Sequence, residues 1–447
     1  MLEPVPTTET SPPFGSVRTA DAATAARYDA AGFVELEHLY GGSADALDGD
    51  GRILATGLDY TTRILVRRPA DPARGSGVVF VEPFHHIVEN PIVYRWISDW
   101  LLARGHAWIG VTVHTGTFTN HYGAPGGVPL LQRSDPDRYA RLHLTPFDDP
   151  PPLRMHQGAG GFDPLEMRWS QMVGHAQGLG IVGSLARLVK GNDAESPLHD
   201  LDVRFVVGVG ASQTGNFWRA FVDFRGDDAA RLADGRAAID AYLTLIAPAP
   251  QRIPEDAAFV HVLSEAEVVG TLNPRMMTAV EDRDAPVVRG YEIAGSAHML
   301  RSEPIPGMDR AAHSAEHTDE PFDMLLRAIA DNLVASLRDG TPMPRGARIT
   351  RDAHALDGVA RDEHGNAIGG LRAPWIAVPT AQFLPRCSCS PTTGEKIPFT
   401  DDEIARLYGN ADALRAARSR SIDDLVERRL LLSADAAILH AANEAQD

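Results

Sequence analysis

The residues of this chain that could do covalent chemistry fall at the ends of apolar runs. Ser212 lies in Arg204-Phe-Val-Val-Gly-Val-Gly-Ala-Ser-Gln-Thr-Gly-Asn216. Phe205, Val206, Val207 and Val209 read as a strand, Gly-Ala-Ser-Gln-Thr-Gly as a tight turn, and 216–224 as a segment able to be helical. A serine on such a strand-to-helix turn stands clear of the backbone, and the N–H of the next residue can point at a developing oxyanion. Gly210 and Ala211 are the small neighbours the turn demands. Thr214 stands where Gly-x-Ser-x-Gly has its second glycine, and Gly215 comes one residue late, so a β-branched side chain is expected to crowd the turn. An ordinary turn whose serine caps a helix is the other reading this motif leaves open.

An activated serine needs a base within hydrogen-bond reach and an acid to orient that base. The apolar run 258–263 is followed by Ser264-Glu-Ala-Glu267, and the run 287–293 by Ala294-Gly-Ser-Ala-His298. In a parallel sheet the C-terminal ends of strands share one edge, so residues this far apart in sequence can converge with Ser212. The assignment expected is Ser212 as nucleophile, His298 as base and Glu267 as orienting acid, with Glu265 the alternative acid. The Gln213 N–H needs a second oxyanion donor from the loop after the run 78–81; Pro83 has no N–H, so Phe84 or His85 must supply it. His85-His86 beside Glu82 also raises a metal site, but no helical His-x-x-x-His or Glu-x-x-His spacing supports it. No metal and no cofactor is expected.

These residues require a scaffold of parallel strands. Gly77-Val-Val-Phe-Val-Glu-Pro83 suits a strand buried on both faces. Residues 91–104 read as a helix with Tyr94, Ile97, Leu101 and Leu102 on one side and Gly105 as its stop. Another buried strand, 107–113, completes a βαβ unit. A helix over 164–189 leads to the Ser212 strand; runs 241–246, 258–263 and 287–293 continue the series, and an amphipathic helix over 322–337 closes it. Earlier, 32–40 and 58–67 alternate apolar with polar residues, as partly antiparallel strands do. The fold class expected is α/β, a mostly parallel central sheet flanked by helices, in one layered domain over 26–340.

Three stretches depart from that rhythm. Residues 1–25, rich in Pro, Thr, Ser and Ala, read as a poorly packed arm. Residues 114–162 are rich in Gly and Pro, with a short helix expected around 136–142. They read as a lid-like insertion that places His114, Phe118, His121, Tyr122 and His156, together with His86, against substrate. Residues 341–447 read as an appendage packed on the core, with loops and strands to 383 and a charged helical pattern from 401.

Composition narrows the partners. With a formal charge of −18 over 447 residues, a nucleic-acid partner is not expected, since phosphate contacts need a basic surface. No apolar run approaches the ~20 residues a membrane helix requires. The first ten residues have neither a basic region nor an apolar core, so the cytoplasm is the default expectation. The two cysteines, Cys387 and Cys389, exclude a disulfide framework and a four-cysteine zinc site. They read as reduced thiols in a loop, against a short-loop disulfide or a metal-touching pair. The oligomeric state is left open.

Three segments carry a resemblance. Gly210-Ala-Ser-Gln-Thr214, Ser264-Glu-Ala-Glu267 and Gly295-Ser-Ala-His298 resemble those of the bacterial α/β-hydrolase domain-containing proteins, which read Gly-Glu-Ser-Gln-Ser, Glu-Thr-Glu/Asp and Gly-Thr-Ala-His. The resemblance extends to Arg104-Gly-His-Ala-Trp-Ile-Gly-Val111, Asp339-Gly-Thr-Pro342 and Ala360-Arg-Asp-Glu-His-Gly-Asn-Ala-Ile-Gly-Gly370, and so covers most of the chain. Ala211 departs from the family's glutamate, and 114–162 is poorly matched, which leaves the substrate open. Members are mostly described only as hydrolases or esterases. The resemblance and the motifs together imply a serine hydrolase cleaving a small-molecule carboxylic ester. An acyltransferase or amidase using the same triad, or a non-catalytic binding protein on the same fold, are the readings left open.

Overall fold

Apolar runs alternating with amphipathic stretches build a layered α/β arrangement, seen in a computed structural model that describes residues 1–47, 52–85, 89–114, 130–145, 176–224, 226–270, 277–300, 318–387 and 392–445. The described residues up to Phe259 form one compact unit, and those from Val260 onward form another.

The first unit contains β1 (Leu2–Val5), β2 (Phe33–Leu47), β3 (Ile53–Pro69), β4 (Val78–Pro83), β5 (Ala107–Val111), β6 (His143–Leu144), β7 (Phe205–Ala211) and β8 (Ala241–Leu245). Their order is β1-β2-β3-β5-β4-β7-β8, with β6 on β3. β1 through β3 pair antiparallel, as does β3 with β5, whereas β5, β4, β7 and β8 run parallel. Parallel neighbours need a crossover. The helix Ile92–Arg104 supplies it between β4 and β5, and Gln213–Asp223 lies between β7 and β8. Val79, Phe80 and Val81 of β4 are fully buried, as a run without alternation requires.

The helix Ile92–Arg104 ends at Gly105, whose φ of 67° puts it in the left-handed region expected of a C-terminal cap. At its other end no residue of the helix caps it. Glu82, the fifth residue of β4, does so from the sheet: its carboxylate accepts from the N–H of Val93 at 2.8 Å and of Tyr94 at 2.9 Å, and from Trp108 Nε1 at 3.0 Å. Burial pushes the Glu82 carboxyl up to about 8, against the pull of these donors and of Arg67 and Arg95.

The N-terminal stretch differs from the expectation of a poorly packed arm. β1 pairs with β2 along Leu2–Val5. The carbonyl of Phe14 accepts from buried Arg63 Nη2 at 2.5 Å, and that of Gly15 from Arg67 Nη2 at 2.9 Å. Composition misses this because main-chain carbonyls accept equally well whatever side chain they carry. The described part of the insertion also packs. Helices Leu130–Ser134 and Pro136–Tyr139 precede β6, Leu131 and Tyr139 are buried, and Arg138 donates to Glu37.

In the second unit β9 (Ala258–Ser264), β11 (Val287–Ile293) and β10 (Arg283–Asp284) lie in that order. The helix Phe322–Asp339 follows, two residues longer than its apolar pattern suggested, and a hairpin of β12 (Ala381–Leu384) and β13 (Glu395–Pro398) comes after it. Helices Asp401–Tyr408, Ala411–Glu427 and Ser433–Glu444 end the chain. Arg327 reaches from Phe322–Asp339 to Asp435 at 2.8 Å. Cys387 is disulfide-bonded, and Cys389 is the chain's only other cysteine. The expectation of reduced thiols is thereby corrected at Cys387; Cys389 lies outside the described residues.

Candidate active site

β7 ends at Ala211, and Ser212 follows with φ 55° and ψ −117°. A non-glycine residue rarely takes that backbone, and when it does the surrounding structure must over-determine it. Here the constraint comes from close packing. A side chain at Gly210 would meet the Thr214 carbonyl oxygen at 2.3 Å, and one at Gly215 would meet Ala247 Cβ at 2.7 Å. Glycine is therefore needed at 215, one residue beyond the common motif. Thr214 does not crowd the turn. Its hydroxyl accepts from the Ala211 N–H at 2.9 Å and donates to the Ala211 carbonyl at 3.0 Å, tying the helix start to the strand end. The Ser212 N–H donates to Leu245 O on β8 at 3.0 Å.

The helix begins at Gln213, three residues earlier than its sequence pattern suggested. The first N–H groups of a helix have no partner within it and carry the positive end of its dipole. Gln213 is thus well placed to support negative charge beside Ser212. Its side chain is committed elsewhere: Nε2 lies 2.8 Å from Nε2 of His114, and both residues are buried. His114, expected to line a substrate pocket, is thus buried against the Gln213 side chain. Phe118, His121, Tyr122 and His156, like His86, lie outside the described residues.

The loop after β4 was expected to hold the second oxyanion donor. The Phe84 N–H donates to Val111 O at 2.8 Å and the His85 N–H to Asn90 O at 3.2 Å. Both N–H groups thus already donate to backbone carbonyls, that of Phe84 on β5 and that of His85 at Asn90. Glu82, beside the two histidines, is occupied as the helix cap described above. Among the described residues no group of three or more His, Cys, Asp or Glu could hold a metal.

In the second unit the turn after β9 is a capping box. Ser264 Oγ donates to Glu267 Oε2, and the Ser264 N–H reaches the same oxygen at 3.3 Å. The other oxygen of Glu267 lies 2.6 Å from Nδ1 of His298. Glu267 is fully buried and the His298 side chain 10% exposed. With Nδ1 donating to the carboxylate, Nε2 is left to accept a proton. Glu265 points into a different set: it accepts from the Gly295 N–H at 2.7 Å and faces Arg361 Nη2 at 2.8 Å. Burial raises its pKa despite Arg361. The two candidate acids therefore have different partners: His298 for Glu267, and Gly295 with Arg361 for Glu265.

Parallel strands with helical crossovers, and a serine held at positive φ where one strand turns into a helix, define the α/β-hydrolase class of protein. The chain belongs to the alpha/beta hydrolase domain family, whose sequence profile matches residues 1–441. Among curated proteins none matches closely enough to be called a relative. Among solved structures, the chain is similar to brefeldin A esterase, a bacterial homologue of human hormone-sensitive lipase, at 16% identity and a TM-score of 0.25 over 55% of this chain and 52% of that one. It is also similar to esterase Est22 at 13% identity and a TM-score of 0.28, over 56% of this chain and 73% of that one. A cold-adapted esterase from an Arctic intertidal metagenomic library matches at 10% identity and a TM-score of 0.23, over 52% of this chain and 72% of that one.

Proposed function

We propose that this protein is a serine hydrolase that cleaves a carboxylic ester of a small molecule through an acyl-enzyme. The observation that carries the reading is the backbone of Ser212, held at φ 55° between β7 and a helix N-terminus. A serine that only capped the helix would accept from a first-turn N–H, and Ser212 makes no such side-chain bond. Ser212 Oγ attacks the ester carbonyl while His298 Nε2 takes its proton. Glu267, bonded to Nδ1, holds the imidazole in the required tautomer and offsets the charge it gains. The N–H of Gln213, at the start of the helix, supports the oxyanion. The alcohol leaves with the proton from His298, and water attacks the acyl-enzyme by the same path in reverse.

The test is covalent labelling by a fluorophosphonate together with turnover of a p-nitrophenyl ester panel. Wild type should label and turn over, and Ser212→Ala should do neither while melting at a similar temperature. Wild-type turnover in Ser212→Ala would remove the serine from the mechanism. Labelling without hydrolysis, but with transfer to an added alcohol or amine, would make the protein an acyltransferase. No labelling at all would leave a binding protein on a hydrolase fold.

A further inference from the structure

The turn that carries Glu267 and the turn that carries His298 are joined by more than the bond between those two side chains. Further bonds cross from Glu265-Ala266 on the acid turn to Gly295-Ser296 on the base turn. The Gly295 N–H donates to Glu265 Oε2 at 2.7 Å, the Glu265 N–H to Ser296 Oγ at 3.2 Å, and the Ala266 N–H to Ser296 O at 3.2 Å. Glu265, Ala266 and Ser296 are all fully buried. Ser296 Oγ in turn donates at 2.7 Å to the carbonyl of Ile293, the last residue of β11. The other oxygen of Glu265 faces Arg361 Nη2 at 2.8 Å, and that nitrogen also donates to Asp357 Oδ2 at 2.5 Å.

At this depth water is a poor substitute for a lost partner, so the cross-ties fix how the two backbones stand to each other. Glu267 lies one residue beyond Ala266 and His298 two beyond Ser296, and their 2.6 Å contact needs that spacing. The base turn is also held at its ends, where Ala294 N–H donates to Leu371 O at 3.1 Å and Met299 N–H to Thr392 O at 2.9 Å. Neither of those bonds reaches the acid turn. We propose that Glu265 and Ser296 are positioning residues that hold the base turn against the acid turn, and so keep the His298 imidazole on the Glu267 carboxylate. This rests on the hydrolase reading given above. Their part is to aim the pair, because an orienting acid serves only while the imidazole stays in one tautomer and one orientation.

The experiment compares wild type, Ser296→Ala, Glu265→Ala and Glu265→Gln, all of which leave Arg361 its Asp357 partner. It reads kcat and KM on one p-nitrophenyl ester, and the low-field proton resonance of the His298 Nδ1–H, assigned by its loss in His298→Ala. In Glu265→Ala, kcat should fall ~10²-fold, the cost of misplacing a reacting group by about 1 Å. KM should change little, and the resonance should move upfield as the bond to Glu267 lengthens. Ser296→Ala should show the same pattern in weaker form. Glu265→Gln, whose amide oxygen still accepts from the Gly295 N–H, should recover most of kcat and the wild-type resonance. A role in stability alone would lower the melting temperature and leave the resonance of the folded protein where it is. A folded Glu265→Ala protein with wild-type kcat and resonance would overturn the inference, as would a Glu265→Gln protein no faster than Glu265→Ala. If Glu265→Ala does not fold, an unchanged resonance in Ser296→Ala overturns it instead. Failure of the hydrolase reading shows differently, as a wild-type protein that turns over no ester while the resonance still shifts in Ser296→Ala.

Discussion

Two glutamates two positions apart have different partners. Glu267 gives one oxygen to its own capping box and the other to His298 Nδ1 at 2.6 Å, whereas Glu265 is buried against the Gly295 N–H and Arg361. Glutamine keeps the capping-box geometry but cannot offset an imidazolium. Glu267→Gln should therefore lower kcat by ~10⁴, as disturbing a triad's orienting acid does, with little change in melting temperature. Glu265→Gln breaks a buried charge pair and should lower the melting temperature while each folded molecule keeps near-normal turnover. Thermal melts and ester kinetics on both variants decide the matter, and the reverse ranking would pass the acid role to Glu265. At this scale the serine, the histidine and both acids were legible as residues at strand ends. Glu267 was preferred there on its place past the strand, but the partners of Glu265 were not legible, because Arg361 and Gly295 are far away in sequence.

Elements were legible where a pattern is local. The helix Ile92–Arg104 was visible through its apolar face and its closing glycine, and β7 through its unbroken apolar run. Its N-terminal cap was invisible, because the acceptor is a carboxylate on β4, ten residues before the helix begins. Glu82 gives this element a pH signature. Its folded pKa of about 8 lies above its ordinary value of 4.5 because it is buried. Its contribution to stability is thus complete below about 4.5 and is lost progressively as pH rises through about 8. Wild type should lose part of its melting temperature across that window. In Glu82→Gln, which has no proton to lose, the decline should be shallower, and equal slopes in differential scanning calorimetry would show that Glu82 does not titrate there. The same burial explains the choice of residue: only a side chain long enough to reach from the strand to two helix N–H groups and the Trp108 indole can serve.

For the molecule as a whole, the N-terminal stretch departs furthest from its sequence. Rich in Pro, Thr and Ser, it has the composition of a loose arm, yet it offers main-chain carbonyls to three buried arginines. Phe14 O accepts from Arg63, Gly15 O from Arg67, and Pro6 O and Ser11 O from Arg138 at 2.8 and 2.9 Å. Tyr139 also returns a bond, accepting the Phe14 N–H at 2.8 Å. A buried charged donor that loses its acceptor costs ~1–3 kcal/mol or more unless water replaces it. Deleting residues 1–15 should therefore lower the melting temperature clearly, where trimming a loose arm would leave it unchanged. Arg63 also bridges the arm and Glu89: one guanidinium nitrogen holds Phe14 O and another the Glu89 carboxylate. Well below its melting point, the truncated protein should keep its far-ultraviolet circular dichroism, so that the loss is read in thermal melts. Full-length stability in the truncated chain would mean that the carbonyls are replaceable by solvent, and that β1 and the bonds around it are ornament to the fold.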